Sequence, residues 1–384
     1  MKLTASPRIA AISKVVPSYR FSQETASDYA EQWLSGSGGG VPELSVSKSL
    51  QVFNNAGVDT RYGVTPVKEL LSERDFEYRN NLYSDHATQL GENALKEVFN
   101  KCDIDPSEVD YFITVSCTGF MIPALDAHLI NKFPFRTDIK RLPVTQLGCA
   151  AGVASMMMAA DYIRAYPGST VLILSVELCT LSFQPDDKSA DHIISTAIFG
   201  DGAAAMLVTG KKGDGLHLID TRSSFFRDTL DFMGFDLKNT GYHIFLSPGI
   251  SRYLRRNLIS ELQPLLKGMN LDIGDIDSWL FHPGGMRILE AIKESLSIDD
   301  RKIHFSREIL RKYGNISSAT IFFIIEEYMK SETSVGDRYE VTGAVGPGFQ
   351  LFLIMMEWQV TGNAGSLRKN DVYSESRISR VGNR

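Results

Sequence analysis

An ionised cysteine is the strongest nucleophile a side chain offers, and one of the four cysteines of this chain stands where ionisation is favoured. Cys149 lies in Gln146-Leu147-Gly148-Cys149-Ala150-Ala151-Gly152, and the run that follows, Val153 to Ile163, is apolar almost all round, which predicts a buried helix. At the start of such a helix, unpaired backbone N–H groups and the positive end of the macrodipole favour a thiolate. The small neighbours leave room for a substrate above the sulfur. Taken alone, the stretch fits equally a buried free thiol packed like a small hydrophobe. Two more residues could complete the chemistry. His282 ends an apolar strand before Pro283-Gly284-Gly285, and Asn315 opens an apolar helix. The three together make a nucleophile with two hydrogen-bonding partners, provided the fold unites them. Each alone has a plainer reading, as a turn histidine or an N-cap asparagine.

The rest of the chain has to position these residues. With 384 residues it is long enough for two domains or for one unit of two similar halves. A hydrophobic content of 43% and a charged content of 22% describe an ordinary globular protein. The net charge of −6 argues against general nucleic-acid binding and leaves room for a local basic pocket. No stretch reads as a signal peptide or a membrane span, so a cytoplasmic, membrane-free protein is expected. The cysteines lack CxxC spacing and a paired-histidine motif, which argues against a zinc site or a disulfide framework.

Read in order, Arg8 to Val16 is a strand, and a helix follows from Ser22 and Thr25 to about Leu34. Ser35 to Gly40 reads as a linker, since no strand leads into it as a phosphate loop would require. Ser84 to Phe99 is an amphipathic helix and Val109 to Cys117 a strand. Tyr166-Pro167-Gly168 stops the Cys149 helix, and Thr170 to Val176 and Ala203 to Val208 are strands buried on both faces. Trp279 to Phe281, Met286 to Leu296, a helix from Asn315 through Tyr328, and the strand Phe349 to Trp358 continue the alternation. This is α/β with a layered core. Ile104 to Val115 aligns with Leu271 to His282, Asp110 falling on Asp277, which predicts two halves of similar design. The expected division is residues 1–215 with the cysteine, 216–360 with the histidine and asparagine, and a flexible tail over 361–384.

The joint pattern is far more specific than its parts. Gly148-Cys149-Ala150-Ala151-Gly152, Phe281-His282-Pro283-Gly284-Gly285, Gly314-Asn315-Ile316-Ser317-Ser318-Ala319-Thr320 and Gly346-Pro347-Gly348-Phe349 occur in this order. In order and spacing they resemble the motifs of the type III polyketide synthases, the chalcone-synthase-like branch of the thiolase superfamily. The resemblance runs from about Arg8 to Trp358. Ser116 to Asn131, Leu142 to Gly152 and Gln184-Pro185-Asp186-Asp187 resemble bacterial members, the phloroglucinol synthases in particular.

That resemblance implies a five-layered αβαβα thiolase-like fold of two pseudo-repeated halves and a homodimer. It implies malonyl-CoA and an acyl-CoA starter as substrates, with no metal or redox cofactor. Cys149 matches the nucleophile that carries the growing chain, His282 the residue that pairs with the thiolate and holds the thioester oxygen, and Asn315 the second donor to that oxygen. Phe199 matches the gatekeeper aromatic between CoA tunnel and cavity, although a plain core role suits it as well, and Ile244 falls at the second gate. Cys117, Cys179, Ser182 and Ser317 match cavity-lining positions, and Ile122 the residue that crosses into the partner's cavity. Of the cations that grip CoA only Lys48 is retained, with Gln51 and Asn55 in place of others, so Arg61 and Arg287 are the expected substitutes. Val345 stands where the family usually has phenylalanine.

The expected reaction is decarboxylative Claisen condensation of malonyl units on Cys149, ending in a phloroglucinol-, resorcinol- or pyrone-type product. Two rivals are a ketoacyl synthase III-like condensing enzyme and a non-catalytic acyl-CoA-binding homologue. The His-Pro-Gly-Gly turn, where a ketoacyl synthase would have histidine-glutamine-alanine, opposes the first. The intact set of Cys149, His282 and Asn315 opposes the second.

Overall fold

A computed structural model of the chain describes residues 6–36, 42–72, 74–331 and 338–360. The tail expected over 361–384 and most of the Ser35 to Gly40 linker lie outside them. The strands are β1 (Arg8–Val15), β2 (Tyr19–Ser22), β3 (Thr60–Gly63), β4 (Tyr111–Val115), β5 (Lys140–Val144), β6 (Thr170–Leu178), β7 (Asp201–Thr209), β8 (Gly215–Phe225), β9 (Met233–Lys238), β10 (Gly241–Leu246), β11 (Ile276–Phe281), β12 (Arg338–Gly346) and β13 (Gln350–Gln359). The helices are α1 (Gln23–Ser35), α2 (Val46–Asn54), α3 (Val67–Leu70), α4 (Phe76–Asn100), α5 (Leu125–Ile130), α6 (Ala151–Ala165), α7 (Ala190–Ile198), α8 (Gly249–Met269), α9 (Met286–Leu296), α10 (His304–Tyr313) and α11 (Thr320–Ser331).

Local chemistry explains several boundaries. Ser22 caps α1 by accepting from Thr25 N, and Asp75 caps α4 through Tyr78 N, each satisfying a donor the first turn leaves free. α4 therefore begins eight residues before the Ser84 that the amphipathic pattern indicated. Asn270, in the left-handed region with φ 56°, ends α8, as asparagine does with less strain than most residues.

Nine strands form one mixed sheet in the order β11-β12-β13-β8-β1-β7-β6-β4-β5. Leaving out the edge strand β5, the order is symmetric about the β8–β1 junction. β4 runs parallel to β6, which is antiparallel to β7; β11 runs parallel to β12, which is antiparallel to β13. The twelve-residue repeat falls on this symmetry: an acid-capped 3-10 turn leads into β4 and another into β11. The centre of the sheet, β1 against β8, is joined through the single pair Arg8 and His217.

Helices complete the layers. α4 covers β1, β6 and β7 on one outer side, while α8 and α9 cover the other half. α6 and α11 lie between, α6 touching β4, β6 and β7 as well as β12 and β13. That sandwiched position explains their composition: all of Ile321 to Ile325 is buried, as are Val153, Ala154, Met156, Ala159 and Ala160. Each fully buried isoleucine or phenylalanine there contributes about 1.5–3 kcal/mol. β6 and β7, nine residues each and buried throughout, sit beside this layer as the unbroken apolar runs indicated.

Candidate active site

Cys149 sits in the 3-10 turn Gly148–Ala150, one step before α6 rather than within its first turn. Two close approaches hold this turn. A Cβ on Gly152 would fall 2.3 Å from Ser318 O, and one on Gly346 would fall 2.4 Å from Leu147 O. Only glycine at these positions lets the start of α6 touch the Ser317–Ala319 turn and the end of β12 at once. Cys149 Sγ consequently stands 3.5 Å from Ser317 Oγ. The thiol is pushed up to about 11, chiefly by burial, with the nearby Glu177 charge adding to the effect and the Ser317 hydrogen bond opposing it. Of the two readings the sequence allowed, burial thus favours the protonated thiol in the free protein.

His282 leaves β11 with its N–H donating to Gly343 O of β12 at 2.9 Å, which ties the histidine to the strand that reaches the cysteine turn. It is 3% exposed, and neither ring nitrogen has a hydrogen-bond partner among the described residues. Burial pushes the imidazole down to about 3, so the resting ring is neutral. A buried imidazole with two free nitrogens is costly unless a ligand completes it. Asn315 is 2% exposed, and its Oδ1 accepts from Ser317 N at 2.8 Å, leaving the amide NH2 as the donor end. Its backbone is strapped to the Phe199 segment, Asn315 N donating to Ile198 O at 2.8 Å and Gly200 N to Asn315 O at 3.1 Å.

A polar wall adjoins the sulfur. Cys117 Sγ lies 3.4 Å from the same Ser317 Oγ, so one hydroxyl bridges two thiols. Behind them, fully buried Glu177 accepts from Cys117 N at 3.0 Å, from Thr118 Oγ1 at 2.9 Å, and from Ser318 Oγ. Burial raises the Glu177 carboxyl, and burial with the Glu177 charge raises the Cys117 thiol well above its usual value.

The remaining sequence candidates distribute as follows. Phe199 caps the end of α7, half-buried, and lines a cavity together with Cys179 and Ser182. Ile244 lies on β10 opposite Phe235, and Ile122 is 82% exposed on the loop beyond Cys117. Lys48 on α2 and Arg287 on α9 are both exposed. Arg61 is a correction to the CoA set. It is 2% exposed, with its guanidinium spent on Thr196 O at 2.6 Å, Phe199 O at 3.1 Å, Ala197 O at 2.8 Å and the Gln23 side chain. It pins the end of α7 to α1 and has no face to offer a phosphate.

Sequence reading did not single out Glu177, Thr118, Ser318 or Tyr242. Tyr242 precedes Ile244 on the same face of β10; its ring packs on Phe76 and Phe235, and its phenol feels the charges of Cys117 and Glu177. A glutamate inside the apolar run of β6 was the available signal, since a buried carboxylate needs partners. Among the described residues, no group of three or more His, Cys, Asp or Glu could hold a metal ion, and no helix is long and apolar enough to cross a membrane.

Comparison with known proteins places this geometry. Residues 49–217 match the FAE1/type III polyketide synthase-like family, and residues 218–357 match the C-terminal domain of chalcone and stilbene synthases. The 1,3,6,8-tetrahydroxynaphthalene synthase of Streptomyces coelicolor is 33% identical over 330 residues, covering 86% of this chain and 87% of that protein. The phloroglucinol synthase of Pseudomonas fluorescens is 30% identical over 348 residues, covering 89% and 96%. The crystal structure of the Streptomyces coelicolor synthase superposes with a TM-score of 0.87 at 30% identity, over 92% of this chain and 99% of that one. The sheet, symmetric but for β5, is thus the thiolase-like fold, and the chain belongs to the type III polyketide synthases, a family of condensing acyltransferases.

Proposed function

We propose that the protein is a homodimeric synthase that condenses malonyl-CoA units on Cys149 and releases a small aromatic or pyrone product. The observation that carries this reading is the buried His282, whose two free ring nitrogens lie on the strand pair that reaches the Cys149 turn. In this scheme His282 takes the Cys149 proton as the sulfur attacks the starter thioester, so that neither a free thiolate nor an imidazolium accumulates in the resting enzyme. The C–S bond to CoA breaks as the new one forms, and CoA leaves as its thiol on taking up a proton.

Malonyl-CoA then loses carbon dioxide, and the electron pair of the broken C–C bond becomes an enolate. His282 and the Asn315 amide donate hydrogen bonds to its oxygen. The enolate carbon attacks the acyl group on Cys149, forming a C–C bond and releasing the thiolate, so that the longer chain now sits on CoA. Reloading repeats the cycle until cyclisation. Every step is acyl transfer, decarboxylation or C–C bond formation within these groups, so the chemistry calls for no further cofactor. Lys48 and Arg287 are assigned to the CoA phosphates, being exposed cations on helices near one another: Gly57, just after α2, packs on Met286 beside Arg287.

The starter is malonyl or a fatty acyl group. The apolar cavity between α1, α3 and α7, lined by Phe21, Trp33, Phe53, Leu70 and Phe183 beside Phe199, Cys179 and Ser182, has a volume of only about 60 Å³ and so does not by itself select a long acyl tail over malonyl. Mass spectrometry of products from malonyl-CoA alone, and with acyl-CoA starters of increasing length, tests both readings against Cys149→Ala. An aromatic product from malonyl-CoA alone, absent from the variant, assigns malonate as starter. Pyrones or resorcinols only with long acyl starters assign the cavity to a lipid tail. No product and no released CoA from any thioester overturns the synthase reading.

A further inference from the structure

One face of α4 grips the loop behind Cys117. Asn80 brackets Phe120, its Nδ2 donating to Phe120 O at 2.7 Å and its Oδ1 accepting from Phe120 N at 2.8 Å. Tyr83, one turn on and therefore on the same face, wedges its ring against Gly119, where a Cβ would fall 2.0 Å from Tyr83 Cγ. Its phenol is buried beside the Ser116 side chain, and burial raises its ionisation well above the usual value. Helix α4 thus holds residues 116, 119 and 120, and Glu177 holds Cys117 and Thr118 between them. The wall so fixed presents the Cys117 sulfur to the hydroxyl it shares with Cys149. On the far side of the grip, Phe120 and Ile122 are 54% and 82% exposed.

Nothing in the condensation chemistry employs Asn80 or Tyr83. Tyr83 is nevertheless 2% exposed, and burying a phenol is costlier than burying a leucine unless its hydroxyl is used. We propose that Asn80 and Tyr83 are positioning residues that set how closely the Cys117 wall stands to Cys149, and thereby how many extensions are completed before release. This rests on the polyketide reading of the cavity. The wall limits where the growing chain can lie, and a wall free to shift no longer holds the chain end against the thioester.

The test compares Tyr83→Leu, Tyr83→Phe and Asn80→Ala with wild type in the full-length enzyme, with melting temperature recorded for each. The first readout is the ratio of early-released to full-length product alongside the rate at which malonyl-CoA loads Cys149. Tyr83→Leu and Asn80→Ala raise that ratio at least about fivefold, in keeping with the cost of a small misplacement in an active site, while loading stays within about twofold. Tyr83→Phe, which keeps the ring wedge, restores most of the wild-type ratio.

The second readout needs no turnover: alkylation of Cys117 by iodoacetamide in a Cys149→Ala background, followed by peptide mass spectrometry. Tyr83→Leu and Asn80→Ala speed it about tenfold by loosening the wall around a half-buried thiol. An unchanged product ratio in folded variants, or a loss of loading that parallels the loss of full-length product, overturns the proposal. If wild type makes no product at all, the synthase reading falls and the alkylation rates alone decide: faster labelling supports the positioning role, and unchanged labelling rejects it. Should Tyr83→Leu not fold, half-buried Asn80→Ala carries the same comparison.

Discussion

The reactivity of Cys149 is governed by what surrounds its sulfur more than by its place before a helix. With its thiol near 11, only a small fraction is thiolate at neutral pH in the free enzyme, and that fraction grows about tenfold per pH unit. Alkylation of Cys149 by iodoacetamide should therefore accelerate about tenfold per unit from about pH 7 to about pH 10. A flat profile over this range would show that the proton already rests on His282. Glu177→Gln removes a negative charge that raises the thiol, so its profile should move to lower pH. His192 offers a separate check on burial. Packed against Trp33 and Phe183, it is pushed down to about 4 and stays neutral where an unfolded histidine is charged. Below about pH 6.5 the unfolded state binds the proton that the folded state refuses, so stability falls as pH falls. Relative to His192→Asn, wild type should lose about 1.4 kcal/mol per pH unit between about 6.5 and about 4, measured by denaturant melts, and nothing above. Cys149, His282 and Asn315 stood out in the sequence because their types and order are distinctive, and the fold places all three on elements that meet around the Cys149 turn. Arg61 was misread because a cation in sequence says nothing of which way it faces, and this one faces inward.

The elements explain why these residues meet. The Gly152 contact is backbone against backbone, which cannot yield as a flexible side chain can. Gly152→Ala should separate α6 from the Ser317–Ala319 turn, costing about 1–3 kcal/mol by thermal melts, with CoA release falling far more than stability. Arg61 acts at the same scale. Arg61→Lys keeps the charge but loses the fork that holds three carbonyls, so it should destabilise by about 3 kcal/mol and leave KM for malonyl-CoA unchanged. Arg287→Ala should do the reverse, raising KM without lowering the melting temperature. The periodic elements, α6, α9, β6 and β7, were readable because one solvent or one core surrounds them on each face. The first turns of α4 were not. Arg79, Asn80 and Tyr83 point at carbonyls and at the cavity wall, so the apolar stripe that marks the rest of the helix is absent there. β12 escaped notice for a related reason, since its buried Glu340 and Thr342 interrupt the run.

At the scale of the whole molecule, the repeat visible in twelve residues extends to eight of the nine strands, with the cysteine turn between the halves. The exposed Phe120 and Ile122 lie close to the cavity wall, and the homodimer proposed above would cover them. Ile122→Glu should shift sedimentation from dimer toward monomer and depress product formation in step; a dimer that persists with full activity would remove Ile122 from the interface. The contact between Gly346 and Leu147 has a further meaning in time. Cys149, the nucleophile proposed above, leaves the ribosome half a chain-length before the strand that shapes its turn, and His282 and Asn315 also follow it. Contacts so distant along the chain close late in folding, after the local helices. A nascent or truncated chain therefore carries the thiol without the site, and catalytic competence is the last property the polypeptide acquires, arriving only when its C-terminal strands have docked.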